Sequence, residues 1–304
     1  MTNNNDKFSG FRSGFIAIAG APNAGKSTLL NRILGEKISI TSKKPQTTRN
    51  RILGVLNRPS SQLIFIDTPG IHKTKESETL NVRIVDAALS GIGDADIILL
   101  VLDGANPDLN SENFIIKNLE NQKRPVILAI NKVDLVEKST LLTLMDKWSK
   151  AYSFDDIVPI SAIHGIQVEE LLGIMEPLLP IGPPLYPEEM LTDLPERFIA
   201  AEMIREKVFR LTGQEIPYAT AVTVDTFSEE KAGALVKIHA TINIERDSQK
   251  GIIIGKKGSK LKQIGEEARK DIERMVGTKV FLKLFVRVQK NWSHDTRALR
   301  KFGY

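Results

Sequence analysis

Short apolar runs alternate with stretches of helical periodicity from residue 14 to residue 176. The runs "FIAIAG" (15–20), "RILGVL" (51–56), "QLIFID" (62–67), "ADIILLVLD" (95–103), "PVILAIN" (125–131) and "IVPIS" (157–161) predict strands. Several are unbroken aliphatic or β-branched runs, the signature of strands buried on both faces of a sheet. Helical spacing falls between them at 26–34, 78–92, 110–121, 139–151 and 166–176. This rhythm predicts an α/β domain over 14–180 with a mostly parallel sheet. Such sheets bind ligands in the loops at the carboxyl ends of their strands.

The pattern then changes. "EPLLPIGPPLYPEEM" carries Pro177, Pro180, Pro183, Pro184 and Pro187. Proline at this density continues neither helix nor ladder, so 181–195 reads as a stiff, extended linker. Beyond it the order differs: a helix over 196–211, strands over 218–227 and 234–244, two helical stretches around "QKGIIIGKKGSKLKQIGEEARKDIERMV", and a strand over 279–289. The order α-β-β-α-α-β predicts an α+β domain over 196–304 with a three-stranded sheet. Residues 1–13 read as a disordered N-terminus.

Composition changes this picture in two ways. There is no cysteine, which excludes disulfides and thiolate metal sites. The net charge of +5 is uneven: residues 251–304 hold 14 Lys+Arg against 5 Asp+Glu, which leaves the rest of the chain negative. A polyanion partner for the basic end and a merely solvated basic face both fit that asymmetry. The start has no signal-peptide pattern, and "IILLVL" is far short of a span, so the expectation is a cytoplasmic protein.

The candidate chemistry sits at predicted strand ends. "GAPNAGKS" fits G-x-x-x-x-G-K-[ST] between a strand and a helix. Gly20, Ala21, Pro22, Asn23, Ala24, Gly25, Lys26, Ser27 and Thr28 would form a phosphate cradle. Backbone N–H groups close around the phosphates, Lys26 reaches the β- and γ-phosphates, and the Ser27 hydroxyl binds Mg²⁺. Asp67, Thr68, Pro69 and Gly70 form "DTPG" after "LIFI". Asp67 could reach the same ion through water, and the Gly70 N–H a γ-phosphate oxygen. In "NKVD", Asp134 can accept both the ring N–H and the amine of guanine, a pair adenine lacks. Asn131 and Lys132 would brace that loop and flank the base. Ser161 and Ala162 end the last strand, where the Ala162 N–H could meet the guanine carbonyl.

Together, "GAPNAGKS", "DTPG", "NKVD" and "SA" resemble the translation-factor-related GTPases. By that similarity, Thr48 of "KPQTTR" matches the switch threonine that closes over Mg²⁺ and the γ-phosphate, with Thr47 as the alternative. At the basic end, Gly255-Lys256-Lys257-Gly258 lies between two helical stretches. Its glycines let a nucleic-acid backbone come close, while Lys256, Lys257 and nearby Lys260 neutralise phosphate. This resembles the G-x-x-G loop of a KH domain, which clamps about four nucleotides of a single strand, the alternative being a plain helix–turn–helix corner with solvated lysines. Ile252, Ile253 and Ile254 read as helix core, and Trp292 as packing. The chain from about 14 to 292 thus resembles a bacterial family that joins an α/β P-loop GTPase domain to an α+β type II KH domain.

The resemblance implies a GTP/GDP switch that acts in small (30S) ribosomal subunit assembly. It implies that the KH domain holds the 3′ end of 16S ribosomal RNA and that the GTP state sets the arrangement of the domains. It also implies peripheral inner-membrane association, and a monomer is expected. The residue after Gly70 is Ile71, which has no group to hold a water. With Mg²⁺, Lys26 and backbone donors alone, turnover should be on the order of 10⁻⁴ to 10⁻² s⁻¹. In related GTPases that lack a water-holding glutamine, an Asn at the position of Asn23 is a potassium ligand, so the resemblance implies K⁺ as the missing charge. Asn23 bonding only the loop backbone, and His72 holding the water, stand as alternatives. Two further readings remain: an RNA- or membrane-binding assembly module in which GTP is a static ligand, and a GTPase whose last domain contacts protein or membrane.

Overall fold

The computed structural model describes residues 10–42, 44, 47–70, 93, 95–119, 123–213, 216, 220–230 and 233–303. They divide into two compact units. The helix read at 78–92, and Ile71 and His72, lie outside the described residues.

The first unit carries β1 (Arg12–Ala19), α1 (Lys26–Leu34), β2 (Ile52–Arg58), β3 (Ser61–Asp67), β4 (Ile97–Asp103), α2 (Leu109–Leu119), β5 (Val126–Asn131), α3 (Lys138–Ala151), β6 (Asp156–Pro159) and α4 (Val168–Met175). One sheet runs β2-β3-β1-β4-β5-β6. Only the edge strand β2 is antiparallel to its neighbour; the other pairs are parallel. β3, β4 and β5 are buried along their whole length, as their unbroken aliphatic sequences require. Ala17, Leu100, Leu128, Ile115 and Trp148 belong to one buried cluster. Because β1, β3, β4 and β5 run the same way, Ala19, Asp67, Asp103 and Asn131 end at one edge of the sheet, and the following loops converge there.

Two boundaries differ from the sequence reading. Residues 10–13 are ordered: β1 begins at Arg12, the Ser13 N–H donates to the Pro180 carbonyl (3.0 Å), and Ser13 Oγ donates to the Pro183 carbonyl (2.6 Å). The segment read as a linker is extended, but it is strapped to the first unit. Gln62 Oε1 accepts the Leu185 and Tyr186 amides (2.7 and 2.9 Å), and Gln62 Nε2 donates to the Tyr186 carbonyl (2.8 Å). At the edge strand, the Val55 N–H donates to the Leu191 carbonyl (2.8 Å) and Thr192 Oγ1 to the Leu53 carbonyl (2.6 Å). Proline-rich backbone cannot satisfy itself internally, so its polar groups pair with the nearest sheet edge, which is thereby covered.

The second unit takes residues 39–47 together with 194–303. The first of these stretches was read with the preceding domain. It groups here because Thr41 N and Oγ1 both donate to Glu206 Oε1 (3.2 Å each), Lys44 Nζ donates to the Thr212 carbonyl (2.7 Å), and the Thr47 carbonyl accepts from Arg205 Nη2 (2.5 Å). A cation on the last carbonyls of a helix is the placement the helix dipole favours. That helix is α5 (Glu196–Leu211), followed by β7 (Thr220–Glu230), β8 (Leu235–Ile244), α6 (Asp247–Ile254), α7 (Ser259–Val276), β9 (Lys279–Val288) and α8 (Thr296–Lys301).

The second sheet runs β7-β8-β9, with β7 antiparallel and β9 parallel to β8. The core α-β-β-α-α-β order matches the sequence expectation. α5 is buried all round from Ile199 to Phe209, its charged residues included. Those charges are tolerated because they are paired: Arg205 grips both Glu202 oxygens, and Lys207 bonds Glu206 and Asp271. Trp292 is fully buried edge-to-face against Phe302, so neither ring is free to meet a base.

Candidate functional site

The phosphate loop joins β1 to α1. Two glycines are forced by space. Gly25 sits at φ 98°, and a Cβ there would collide with Asn131 Nδ2. Gly70 has its Cα against the loop itself, where an added Cβ would lie 2.8 Å from Pro22 Cα. The "DTPG" turn is therefore packed on the phosphate loop, with Thr68 Oγ1 donating to the Ile18 carbonyl (2.8 Å) to hold it.

Lys26 is buried, and its Nζ donates to the Gly20 and Ala21 carbonyls (3.0 and 2.8 Å). Burial lowers its pKa to about 8, partly opposed by the Asp67 carboxylate. The loop carbonyls thus hold the ammonium where phosphate oxygens would replace them as partners. Ser27 Oγ donates to Asp67 Oδ2 (2.6 Å) and lies 2.9 Å from Thr48 Oγ1. The three groups assigned to Mg²⁺ from the sequence thus converge. Hydroxyl and carboxylate oxygens beside a phosphate cradle suit a hard cation that keeps waters and phosphate among its ligands. Thr47 goes elsewhere: its Oγ1 donates to the Lys44 carbonyl (2.6 Å). Asn23 is exposed at φ 63°, and no described bond ties its side chain to the loop.

The loops assigned to guanine from the sequence form a network. Asn131 Nδ2 donates to the Ala24 carbonyl (2.8 Å), while its Oδ1 accepts the Lys132 and Ala162 amides (2.8 and 2.9 Å). The Ala162 amide, read as a donor to guanine, instead braces Asn131 here. Asp134 Oδ1 accepts Ser161 Oγ (2.5 Å), which fixes the carboxylate. Three participants were missed. Asp103 pairs with Lys132 Nζ and accepts the Ala105 and Asn106 amides (3.0 Å each). Arg32 of α1 donates to the Ala162 and Ile163 carbonyls, and His164 Nε2 stands 3.7 Å from Asp134 Oδ2. The only sequence signal was that Asp103 ends an apolar strand.

In the second unit, Gly255 (φ 71°), Lys257 (φ 52°) and Gly258 (φ 79°) bend the chain between α6 and α7, and both lysines are exposed. Lys260 lies in the first turn of α7 and is half-buried. Of the three isoleucines read as core, only Ile253 is; Ile252 is exposed and Ile254 half-buried. A groove of about 470 Å³ continues from Gly258 between α7 (Leu261, Lys262, Gly265, Arg269) and β9 (Val280–Leu284). Gly265 lines it from α7, where an added Cβ would lie 3.5 Å from Leu284 Cδ1, an ordinary contact.

The fold and these sites define a class: a P-loop GTPase domain followed by a type II KH domain, binding GTP/GDP with Mg²⁺. A family model described as 50S ribosome-binding GTPase matches residues 15–132, and a KH domain model matches 215–293. GTPase Era of Geotalea uraniireducens is 56% identical over 97% of this chain and 98% of its own length. GTPase Era of Lacticaseibacillus paracasei is 49% identical over 96% of each. A crystal structure of Era with MgGDPNP and nucleotides 1506–1542 of 16S ribosomal RNA superposes with TM-score 0.93 at 41% identity, covering 97% of this chain and 99% of that one. Aquifex aeolicus Era bound to GDP and tetrafluoroaluminate gives TM-score 0.92 at 41% identity and the same coverage. The chain belongs to the Era family of GTPases. Among the described residues, no helix is long and apolar enough to cross a membrane.

Proposed function

We propose that this GTPase times small-subunit assembly by holding the 3′ end of 16S rRNA in the α7–β9 groove while GTP occupies the phosphate loop. The observation that carries this reading is the pairing of a convergent Ser27–Asp67–Thr48 oxygen set with a cation-lined KH groove on one chain. Ser27, Asp67 and Thr48 would hold Mg²⁺, which would supply positive charge to neutralise the phosphates. Lys26 trades its two loop carbonyls for phosphate oxygens, and the Gly70 amide takes a γ-phosphate oxygen. Guanine is selected by Asp134, held by Ser161, with the Lys132 stem flanking the base and Asp103 fixing Lys132. Lys256, Lys257 and Lys260 meet RNA phosphates. Domain roles follow: the first unit binds GTP and the second binds RNA.

The missing positive charge at the β,γ-bridge is assigned to K⁺ on Asn23, whose exposed side chain makes no bond to its own loop among the described residues. A higher hydrolysis rate in K⁺ than in Na⁺ supports this; equal rates refute it. The chain acts as a cytoplasmic monomer, with peripheral inner-membrane contact through the basic helix α8. Co-sedimentation with anionic vesicles tests that contact.

The central test titrates RNA of nucleotides 1506–1542 of 16S rRNA into the full chain with GTP analogue and Mg²⁺. Saturable binding that Lys256→Ala/Lys257→Ala weakens is the expected result. Binding no tighter than to an unrelated RNA would remove the proposal.

A further inference from the structure

We propose that the open face of the β7-β8-β9 sheet is a second RNA surface, on which unpaired bases beyond the groove stack. This rests on the reading that the groove holds RNA. Successive residues of a strand point to opposite faces, and the β8–β9 register sets Lys237 beside Phe281, His239 beside Lys283, and Thr241 beside Phe285. The other face of β8 carries Val236, Ile238, Ala240 and Ile242, all buried, while on this face Lys237 and His239 are half-buried, Thr241 and Asn243 are buried, and the exposure lies toward β9. The open face instead holds three rings in a row. His239 sits between Phe281 and Phe285, 6.4 Å and 6.3 Å from their centroids, edge-to-face with each. The two phenylalanines are 50% and 44% exposed, among the most exposed large apolar side chains of this unit.

Cations surround the row. Lys279, Lys283 and Arg287 alternate with the phenylalanines along β9, and all three are exposed. Lys283 Nζ lies 5.1 Å from the Phe285 centroid, so this ring face already holds a cation. β9 carries no carboxylate on either face. The carboxylates that share the open face sit on β7 and are occupied: Glu230 pairs with Lys237 (3.4 Å), and Asp225 accepts Thr241 Oγ1 (2.6 Å).

Alternating aromatic and cationic residues suit a polyanion with π-faces. Protein interfaces are depleted in lysine, which argues against a protein occupant. Base stacking on aromatic side chains combined with a positive track for the backbone is how single strands are held without sequence preference. Continuity decides between RNA and an anionic membrane. β9 forms the wall of the groove through Val280–Leu284 and also carries the ring row, so a strand leaving the groove passes onto this face.

The test uses full-length protein and two oligonucleotides from the single-stranded 3′ end of 16S rRNA. One matches the groove at about four nucleotides, and the other is roughly twice as long. Phe285 and Arg287 lie outside the groove lining, so Phe285→Ala/Arg287→Ala is expected to weaken the long RNA by about 10-fold and leave the short one unchanged. Phe285→Tyr, which keeps a ring, should retain most of the long-RNA affinity. Crosslinks from 4-thiouridine in the long RNA should map to Phe285 or His239. Unchanged long-RNA affinity in the double variant, or equal losses on both RNAs, would overturn the proposal. So would unchanged RNA affinity accompanied by lost binding to anionic vesicles. Failure of the groove reading would look different: Lys256→Ala/Lys257→Ala would then leave short-RNA affinity unchanged.

Discussion

The nucleotide site and the RNA site are built on opposite physical plans. In the first unit most side chains assigned to the nucleotide, Asn23 apart, already have a protein partner: Lys26 its two carbonyls, Ser27 and Asp67 each other, Asp134 its serine, Lys132 its aspartate. In the KH unit, Lys256 and Lys257 stand exposed with no carboxylate paired to them among the described residues. Prepaired groups cost little to organise around a small anion and discriminate sharply. Exposed cations gain affinity through counterion release, with a strong dependence on salt. Single substitutions should therefore cost much in the first unit and little, but salt-dependently, in the second.

The largest effect is expected for Lys26→Ala, which removes the buried charge that faces the phosphates. Single-turnover hydrolysis should fall on the order of 10²- to 10³-fold, and a loss under tenfold would break the contrast. Asp134→Asn comes next. It should relax the preference for GTP over xanthosine triphosphate by about 10²-fold in competition binding, because an amide there no longer offers the two acceptor oxygens that the guanine N–H groups need.

Legibility in the sequence follows the same division. Phosphate and guanine chemistry demand fixed residue types in short runs, so Gly20 to Thr28, "DTPG" and "NKVD" could be read directly. What could not be read were partners supplied by distant segments. Arg32 reaches Ala162 and Ile163 across 130 positions, and Asp103 reaches Lys132 only because β4 and β5 are neighbours in register. The strap over 181–193 looked like a free linker because prolines announce extension but not what the extended chain pairs with. Residues 39–47 looked like part of the first domain because nothing local signals that Lys44 will cap α5. In the KH unit, the alternation of β9 was visible, but which of its faces the helices would cover was not.

In that unit, Lys256→Ala/Lys257→Ala should weaken RNA by about tenfold near physiological salt. It should also reduce the slope of log affinity against log salt by about 1.4, or roughly 0.7 for each phosphate left without its lysine. An unchanged slope would mean these lysines do not touch phosphate.

The smallest effect concerns Glu112 of α2, which is fully buried while its Oε1 accepts the Asp108 amide (3.1 Å). Burial raises its pKa to about 7, with the Asp108 hydrogen bond opposing. A carboxyl whose folded pKa is raised favours folding when protonated. Its contribution is present below the ordinary carboxylate range and is lost as pH rises toward 7. Glu112→Gln keeps the acceptor without the charge, so it should raise the melting temperature at pH 8 by about 2–4 °C and by less at pH 5. A pH-independent shift would place the cause elsewhere.

The most direct measurement of the whole account is ultraviolet crosslinking in growing cells, with sequencing of the RNA attached to the protein. Reads should concentrate at the 3′ end of 16S rRNA and be depleted in Lys256→Ala/Lys257→Ala. Reads spread over unrelated transcripts, or undiminished in that variant, would contradict it.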